Sequence, residues 1–370
     1  MTECLQDFTV GGLVRGARFI DLGPTHPSSA GLLRGTLTLS DATVIAIDPE
    51  PGALHRGAEL LFAARDYRQA LSLANRHDWQ APFFGEWVLA KAVEEALGID
   101  VPPRARWLRA LQAERTRILS HLAYLSHVAT ARRDPTLDTH RLREDFRRST
   151  AAWAGHRLHP MIVRLGGVGS ELPPGWLKTE KTLWSRASDL GARLGEASAS
   201  LGVGVAPVTT EIINAYGLSG PIARASGVST DLRRSHPEPP YTDLGERRPV
   251  SAPNAGDAAA RFGWLAAEII ESVELLRRLT DTAPTGALTA HLPKVVKLPD
   301  GDTIATVEAP LGRASIVLTS RGEKTPWRLR LRTPSAACVA SWEAAVPGTL
   351  VEDLPTALAS LPWVAGDLDK

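Results

Sequence analysis

Two short stretches near the start of the chain gather side chains able to carry protons and bind anions. Gly23-Pro-Thr-His-Pro-Ser-Ser-Ala-Gly-Leu-Leu-Arg34 supplies His26 and Arg34, and Asp48-Pro-Glu-Pro-Gly-Ala-Leu-His-Arg-Gly-Ala-Glu59 supplies His55 and Arg56. An imidazole changes charge near neutral pH, and a guanidinium is a permanent cation with a rigid fork of donors. The run between them, Gly35 to Ile47, alternates apolar and polar residues as a hairpin does. Its ends are expected to meet, presenting His26, Arg34, His55 and Arg56 from one side of a small sheet. Stiff loops held by strands are a common support for a site. Spacing alone also fits a pair of ordinary turns with surface charges.

A further candidate lies on the longest helical pattern, which opens at Pro102-Pro103 and reaches about Thr130. Trp107, Leu111, Ile118, Leu122 and Leu125 form its apolar stripe, Glu114 takes the missing position, and His121 follows two turns later on nearly the same face. A carboxylate on an apolar stripe is costly unless paired. Arg117 at i+3 and a histidine at the stripe's edge are its expected local partners. The expectation is a buried ion pair that fixes helix registry, with a catalytic acid as the alternative.

These residues need elements to hold them. Phe8-Thr-Val10, Leu13 to Ile20, Gly35 to Leu39 and Thr43 to Ile47 read as strands, the last two divided by Asp41-Ala42. From Glu59 the period turns helical through Leu60, Leu61, Ala64, Tyr67, Leu71 and Ala74. A second helix is expected from about Phe84 to Leu97, stopped by Gly98, and the long helix follows. An Arg- and Asp-rich loop then leads into a helix through Leu142, Phe146, Trp153 and His156, ended by Gly155-His-Arg-Leu-His159-Pro160. Val163 to Pro173 is a Gly-rich loop without a P-loop lysine, and Leu183 to Leu201 and Ala258 to Leu279 are further helices. The polar, Pro-rich passage between those two, Gly217 to Pro253, is irregular. From Pro293 the pattern becomes strands: Thr303 to Glu308 and Ala314 to Thr319 around Pro310-Leu-Gly312, then Trp327 to Arg332. The expected fold is α+β: an N-terminal β domain over 1–60, a helical bundle over 61–285 and a C-terminal β/mixed region over 286–370.

Composition narrows the function. The 370 residues are 44% hydrophobic and 22% charged with a formal net charge of +1, a globular balance without the basic excess of a nucleic-acid binder. No apolar run approaches the roughly 18 residues of a membrane span, and no basic-then-apolar leader opens the chain, so a soluble protein is expected. The two cysteines, Cys4 and Cys338, form no Cys-x-x-Cys pair. That excludes an iron–sulfur, nickel or Cys-rich zinc site built from this chain's own thiolates, and no metal site is expected. Neither a dinucleotide fingerprint nor a P-loop is present, and no His-x-x-x-His or Ser–His arrangement supports a hydrolase.

Other motifs run in order along the chain: Leu54-His-Arg-Gly57, Tyr67-Arg-Gln-Ala-Leu71, Asn75-Arg76, Val93-Glu-Glu-Ala-Leu-Gly-Ile99, Glu114-Arg-Thr-Arg-Ile-Leu-Ser-His121 and His159-Pro-Met-Ile-Val-Arg-Leu-Gly-Gly-Val168. They continue with Tyr216-Gly-Leu-Ser-Gly220, Asp231-Leu-Arg233, Val307-Glu-Ala-Pro-Leu-Gly312 and Val364-Ala-Gly-Asp-Leu-Asp-Lys370. With the Gly23 to Arg34 stretch, the chain resembles over nearly its full length the D-type subunit of the proton-pumping NADH–quinone oxidoreductase, respiratory complex I. Members of that family are hydrogenase-like large subunits.

The resemblance implies the fold of nickel–iron hydrogenase large subunits, which hold their metal with two Cys-x-x-Cys pairs. Asp78 and Ala81 stand where the first pair would lie, so hydrogenase chemistry is not expected. It also implies partners: an iron–sulfur B-type subunit carrying the last [4Fe–4S] cluster, a C-type subunit and a membrane H-type subunit, on the cytoplasmic side of the cell membrane. Quinone would enter between the D-type and B-type subunits and take electrons from that cluster. NAD-linked turnover would belong to the whole complex, and this chain would hold no cofactor with its own ligands. Arg56, Arg76 and His159 match positions beside the cluster, where positive charge and hydrogen bonds raise its reduction potential. His26 and Trp79 match the quinone pocket. The family's quinone ligands themselves are replaced, the second histidine by Ala30, the tyrosine by Trp79, and the acid paired with the histidine by Thr130. Alanine offers no proton, and Trp79 keeps an N–H donor that titrates at no useful pH. Two functions follow from the resemblance. One is an electron-transfer subunit of a complex I-like NADH–quinone oxidoreductase, inactive as an isolated chain. The other is a scaffold subunit of a related membrane complex with a lost or remodelled quinone site.

Overall fold

The computed structural model describes residues 3–10, 19–21, 26–28, 32–245 and 250–370. Strands β1 (Glu3–Val10), β2 (Phe19–Asp21), β3 (Leu33–Ser40) and β4 (Thr43–Glu50) form a sheet in the order β2-β1-β3-β4. β1 runs parallel to β2 and antiparallel to β3. The expected hairpin forms, with Leu37 opposite Ile47 and Asp41 turning the chain at φ 55°, a left-handed conformation that Asp tolerates better than most residues. Most of the strand expected over Leu13 to Ile20 lies outside the described residues, and its end is β2. Alternation along β3 buries Leu33, Gly35, Leu37 and Leu39. Position 35 has no room for a side chain: a Cβ would stand 2.3 Å from the Asp48 carbonyl oxygen and 2.6 Å from the Phe8 ring.

Helices α1 (Ala58–Ala63) and α2 (Tyr67–Ala74) follow, the second opened by a capping box between Asp66 and Gln69. α3 (Pro82–Leu97) and α4 (Pro103–Arg132) each carry proline in the first turn, where its missing N–H costs little, and each stops at a left-handed residue, Gly98 and Arg133. Next come α5 (His140–Ala154), the small hairpin β5 (Val163–Arg164) and β6 (Gly167–Val168), and α6 (Trp176–Ser198). α6 begins two turns before the expected Leu183, directly after Pro173-Pro174-Gly175. Among its described residues the irregular passage holds only short helices, including α8 (Pro221–Arg224) and α9 (Leu232–Ser235), preceded by α7 (Thr210–Tyr216). α10 (Ala258–Asp281) completes a bundle in which α4, α5, α6 and α10 pack around Leu111, Leu122, Trp184, Phe262 and Ile269.

The C-terminal strands fall where expected. β7 (Gly301–Ala309), β8 (Gly312–Ser320) and β9 (Arg328–Arg332) form an antiparallel meander packed on α3. Four short helices not read from the sequence then follow: α11 (Pro334–Ala340), α12 (Trp342–Ala345), α13 (Leu354–Ser360) and α14 (Ala365–Leu368). Trp342, Leu358, Leu361 and Trp363 of this region share one core with Phe8, Leu37 and Ile47 of the first sheet.

α4 is buried on nearly every side, so each of its charged residues needs a partner. Arg109 makes a two-point pair with Glu94 of α3 at 2.6 and 2.8 Å, and Arg115 one with Glu180 of α6 at 2.8 Å through each contact. Arg117 donates to the carbonyl oxygens of Glu308 and Ala309. Glu114 accepts from Arg233 at 3.1 Å and from the hydroxyls of Tyr241 and Ser272 at 2.7 Å each. The buried ion pair is thus present, but its partners are largely not the local ones. Arg117 stands 3.5 Å from Glu114 with its terminal nitrogens turned to the β7 end, and His121 pairs with Glu268 of α10 at 3.0 Å instead. Burial alone would raise the Glu114 pKa, yet the charges of Arg233 and Arg117 hold it below the ordinary carboxylate value. Its stabilisation is therefore present above the ordinary carboxylate pKa and lost as pH falls through the lowered one. Glu114→Ala is expected to reduce the unfolding free energy at pH 7 by about 2–4 kcal/mol, because it strips an acceptor from three buried donors. Urea unfolding followed by circular dichroism checks this, and an unchanged midpoint would contradict it.

Candidate functional site

Arg76 and His159 meet on one face, brought there by the end of α2 and the segment after α5. His159 is half-buried, and its Nδ1 donates to the Asn75 carbonyl oxygen at 3.1 Å. Burial lowers the His159 pKa, and the neighbouring Arg76 charge lowers it further. His156, on the turn before it, accepts the backbone N–H groups of Leu158 and His159 through Nδ1 at 3.2 and 3.0 Å. Arg56 reaches the same place from the loop after β4, its guanidinium 3.5 Å from the Arg76 carbonyl oxygen. That loop is pinned by the Asp369 carboxylate, which accepts from the N–H groups of Gly52 and Leu54 at 2.7 and 2.8 Å.

Behind the face sits a residue that sequence reasoning missed. Glu86 of α3 is fully buried and accepts the backbone N–H groups of Met161 and Val163 at 3.0 Å each, together with the Asn75 side-chain amide. The Asn75 side-chain oxygen in turn accepts from Arg76. One carboxylate thus ties the Arg76 segment to the His159 segment, and it holds Met161 at φ 46°, a left-handed conformation a methionine adopts only under constraint. Burial pushes the Glu86 pKa up to about 7 against these three hydrogen bonds. The available signal was the one that exposed Glu114, a lone carboxylate in an apolar helical run, here Pro82-Phe-Phe-Gly-Glu-Trp-Val-Leu-Ala90.

The residues that the resemblance matches to a quinone pocket are less gathered. Ala30 lies outside the described residues. His26 does not share an exposed face with Arg34, His55 and Arg56: it is buried, its Nδ1 accepts the Ser28 N–H at 3.2 Å, and burial lowers its pKa to about 3. The physical reason is that a buried ring loses the hydration of its charged form, and the nearby His127 disfavours that form further. Arg34 points outward from β3, opposite Glu50. Trp79 is partly buried with its ring against Gly366, where any Cβ would stand 2.4 Å from the ring. Thr130 turns its hydroxyl onto its own helix, donating to the Ser126 carbonyl oxygen at 3.0 Å.

Residues 133–297 and 290–370 match the family model described as respiratory-chain NADH dehydrogenase, 49 Kd subunit. The NADH-quinone oxidoreductase D 2 subunit of Salinispora tropica is 40% identical over 99% of this chain and 98% of its own length. The D 1 subunit of Streptomyces coelicolor is 40% identical over 98% of this chain and 97% of its own, and the D subunit of Carboxydothermus hydrogenoformans 32% identical over 95% and 98%. The chain belongs to the 49-kDa subunit family of respiratory-chain NADH dehydrogenases.

In this 49-kDa-type chain, the α+β class expected from the sequence holds. Asp78, at the place compared with the hydrogenase cysteines, has a structural task. Its carboxylate accepts the N–H groups of Gln80 and Ala81 at 3.0 and 2.9 Å and so turns the chain into α3. Burial, and then the charge of Asp367, raise its pKa to about 7. Among the described residues no three His, Cys, Asp or Glu side chains group as a metal site, and no helix is long and apolar enough to cross a membrane. The coupling of Arg76 to His159 is directly measurable. In a histidine titration by NMR, His159 is expected to lose its proton below the ordinary histidine value, and Arg76→Ala to move that titration upward; an unmoved His159 would refute the coupling.

Proposed function

We propose that this chain serves as the component of a complex I-like NADH–quinone oxidoreductase that docks on an iron–sulfur B-type subunit. Arg56, Arg76 and His159 then border the partner's [4Fe–4S] cluster, and C-type and membrane H-type subunits are further neighbours on the cytoplasmic side of the membrane. The observation that carries this reading is the joining of Arg76 and His159 through Asn75 and Glu86 on one accessible face. The relatives named above are themselves subunits of NADH-quinone oxidoreductases.

The chemistry of the face suits one-electron transfer to a buried cluster. A reduced cluster carries an added negative charge, which a fixed guanidinium and a hydrogen-bonding imidazole stabilise, so both raise the potential. His159, held below its usual pKa, is neutral at pH 7 while the cluster is oxidised. An electron arriving beside it raises its proton affinity and draws a proton to Nε2, because Nδ1 already carries the hydrogen given to the Asn75 carbonyl oxygen. The chain's part is positioning, charge and a titrating group, with the redox centre on the partner and quinone as substrate between them.

A second reading, a scaffold without quinone chemistry, is favoured by two contacts. Thr130 spends its hydroxyl on its own helix, and Trp79 is packed against Gly366. Inhibitor-sensitive quinone reduction by the assembled complex excludes the scaffold. For the leading reading, Arg76→Ala and His159→Ala should each lower the midpoint potential of the partner cluster in an EPR redox titration of the complex. A midpoint unmoved in both variants, with the cluster intact, sinks it, as does a purified complex that lacks a B-type subunit.

A further inference from the structure

A narrow cleft opens between α4, α5 and the start of α3, walled by Trp79, Gln112, Thr116, Arg143, Arg147 and Arg157. Its free space of about 30 Å³ is room for about two water molecules. Three arginines line this space, and the acids of the surrounding helix are already engaged. Glu144 is paired with Arg157 and Arg148, and Asp145 with Arg186 and Arg148. Arg143 is left over. Its side chain makes no hydrogen bond or ion pair with any described residue, and its Nε is buried without a partner. Burial, and then the charge of Arg147, lower its pKa to about 10. A half-buried guanidinium with no acceptor is costly unless something outside the chain supplies one.

We propose that this cleft receives a side-chain carboxylate from the neighbouring iron–sulfur subunit, clamped between Arg143 and Arg147. Size favours a carboxylate, whose two oxygens replace about two waters, over a phosphate or a quinone ring. Charge complementarity favours it too, since a guanidinium fork matches a carboxylate in two-point geometry. Position names the partner. Trp79 stands three residues beyond Arg76, and Leu158 and Pro160, which flank His159, line the same cleft. A subunit covering Arg76 and His159 therefore covers this cleft as well. The inference rests on the docking proposed above and adds to it an acidic anchor a short way from the redox face.

The test uses the full chain assembled with its iron–sulfur subunit. Arg143→Lys and Arg147→Lys keep the charge and provide an amine for a zero-length carbodiimide cross-linker. Mass spectrometry is expected to find each introduced lysine joined to one aspartate or glutamate of the partner, and not in the Arg148→Lys control. The double variant Arg143→Ala/Arg147→Ala should weaken partner binding at least about tenfold, with the loss shrinking at high salt. Arg148→Ala should leave binding within about twofold. Cross-links only to this chain's own Glu144, or unchanged affinity in the double variant, overturn the anchor while leaving the docking reading intact. Failure of the unaltered chain to bind the iron–sulfur subunit at all would instead remove the docking reading.

Discussion

A helix enclosed on nearly every side, with arginines, a glutamate and two histidines along it, holds its place only if its buried charges are met. α4 solves this by giving its most deeply buried charged residues partners on different elements: Glu94 on α3, Glu180 on α6, Glu268 on α10, Arg233 on α9 and the carbonyls at the end of β7. Sliding α4 by one residue would turn these groups away from their partners together. The pairs therefore serve registry more than net stability, because apolar replacements could pack as well while fixing the alignment less. Arg224 extends the network by bridging Glu268 and Glu308, which links the bundle to the C-terminal sheet. Through Glu94 the spine also grips α3, the helix that carries Glu86 behind the candidate face.

The face itself follows the same rule on a smaller scale. Glu86 collects two backbone N–H groups and one amide, and thereby sets the distance between two segments that carry opposite sides of the site. Arg76 and His159 are both cations in one protonation state, and without a shared anchor they would separate. After burial, the Arg76 charge is a further cause that disfavours a proton on His159.

The elements legible from sequence were those with a single clear period. The β3–β4 hairpin alternates because one of its faces is buried, α4 is long and free of internal Gly or Pro, and β7 to β9 are well-marked strands. The short helices α11 to α14 escaped because runs of four to seven residues, rich in Ala and buried on several sides, show no period to read. Side-chain partners were harder still. Spacing supplies Arg117 for Glu114 and offers nothing for His121, whose partner lies 147 residues away. The Arg76 and His159 face was reached by resemblance, and Glu86 behind it could be suspected only as an isolated acid among apolar neighbours. His26 was expected on an exposed face and is buried, because the sequence of such a stretch does not tell whether its histidine is exposed or enclosed.

The Asp369 carboxylate holds Gly52 and Leu54, and so the loop carrying Arg56, from 317 and 315 residues away. Contacts of such separation close late, after the local helices and hairpins have formed. The Arg56 edge of the site is therefore expected to stay loose until the Asp369 segment has folded onto it. A partner that needs the pinned loop would then bind only after that contact has closed, although the residue that makes it lies more than three hundred positions from the loop.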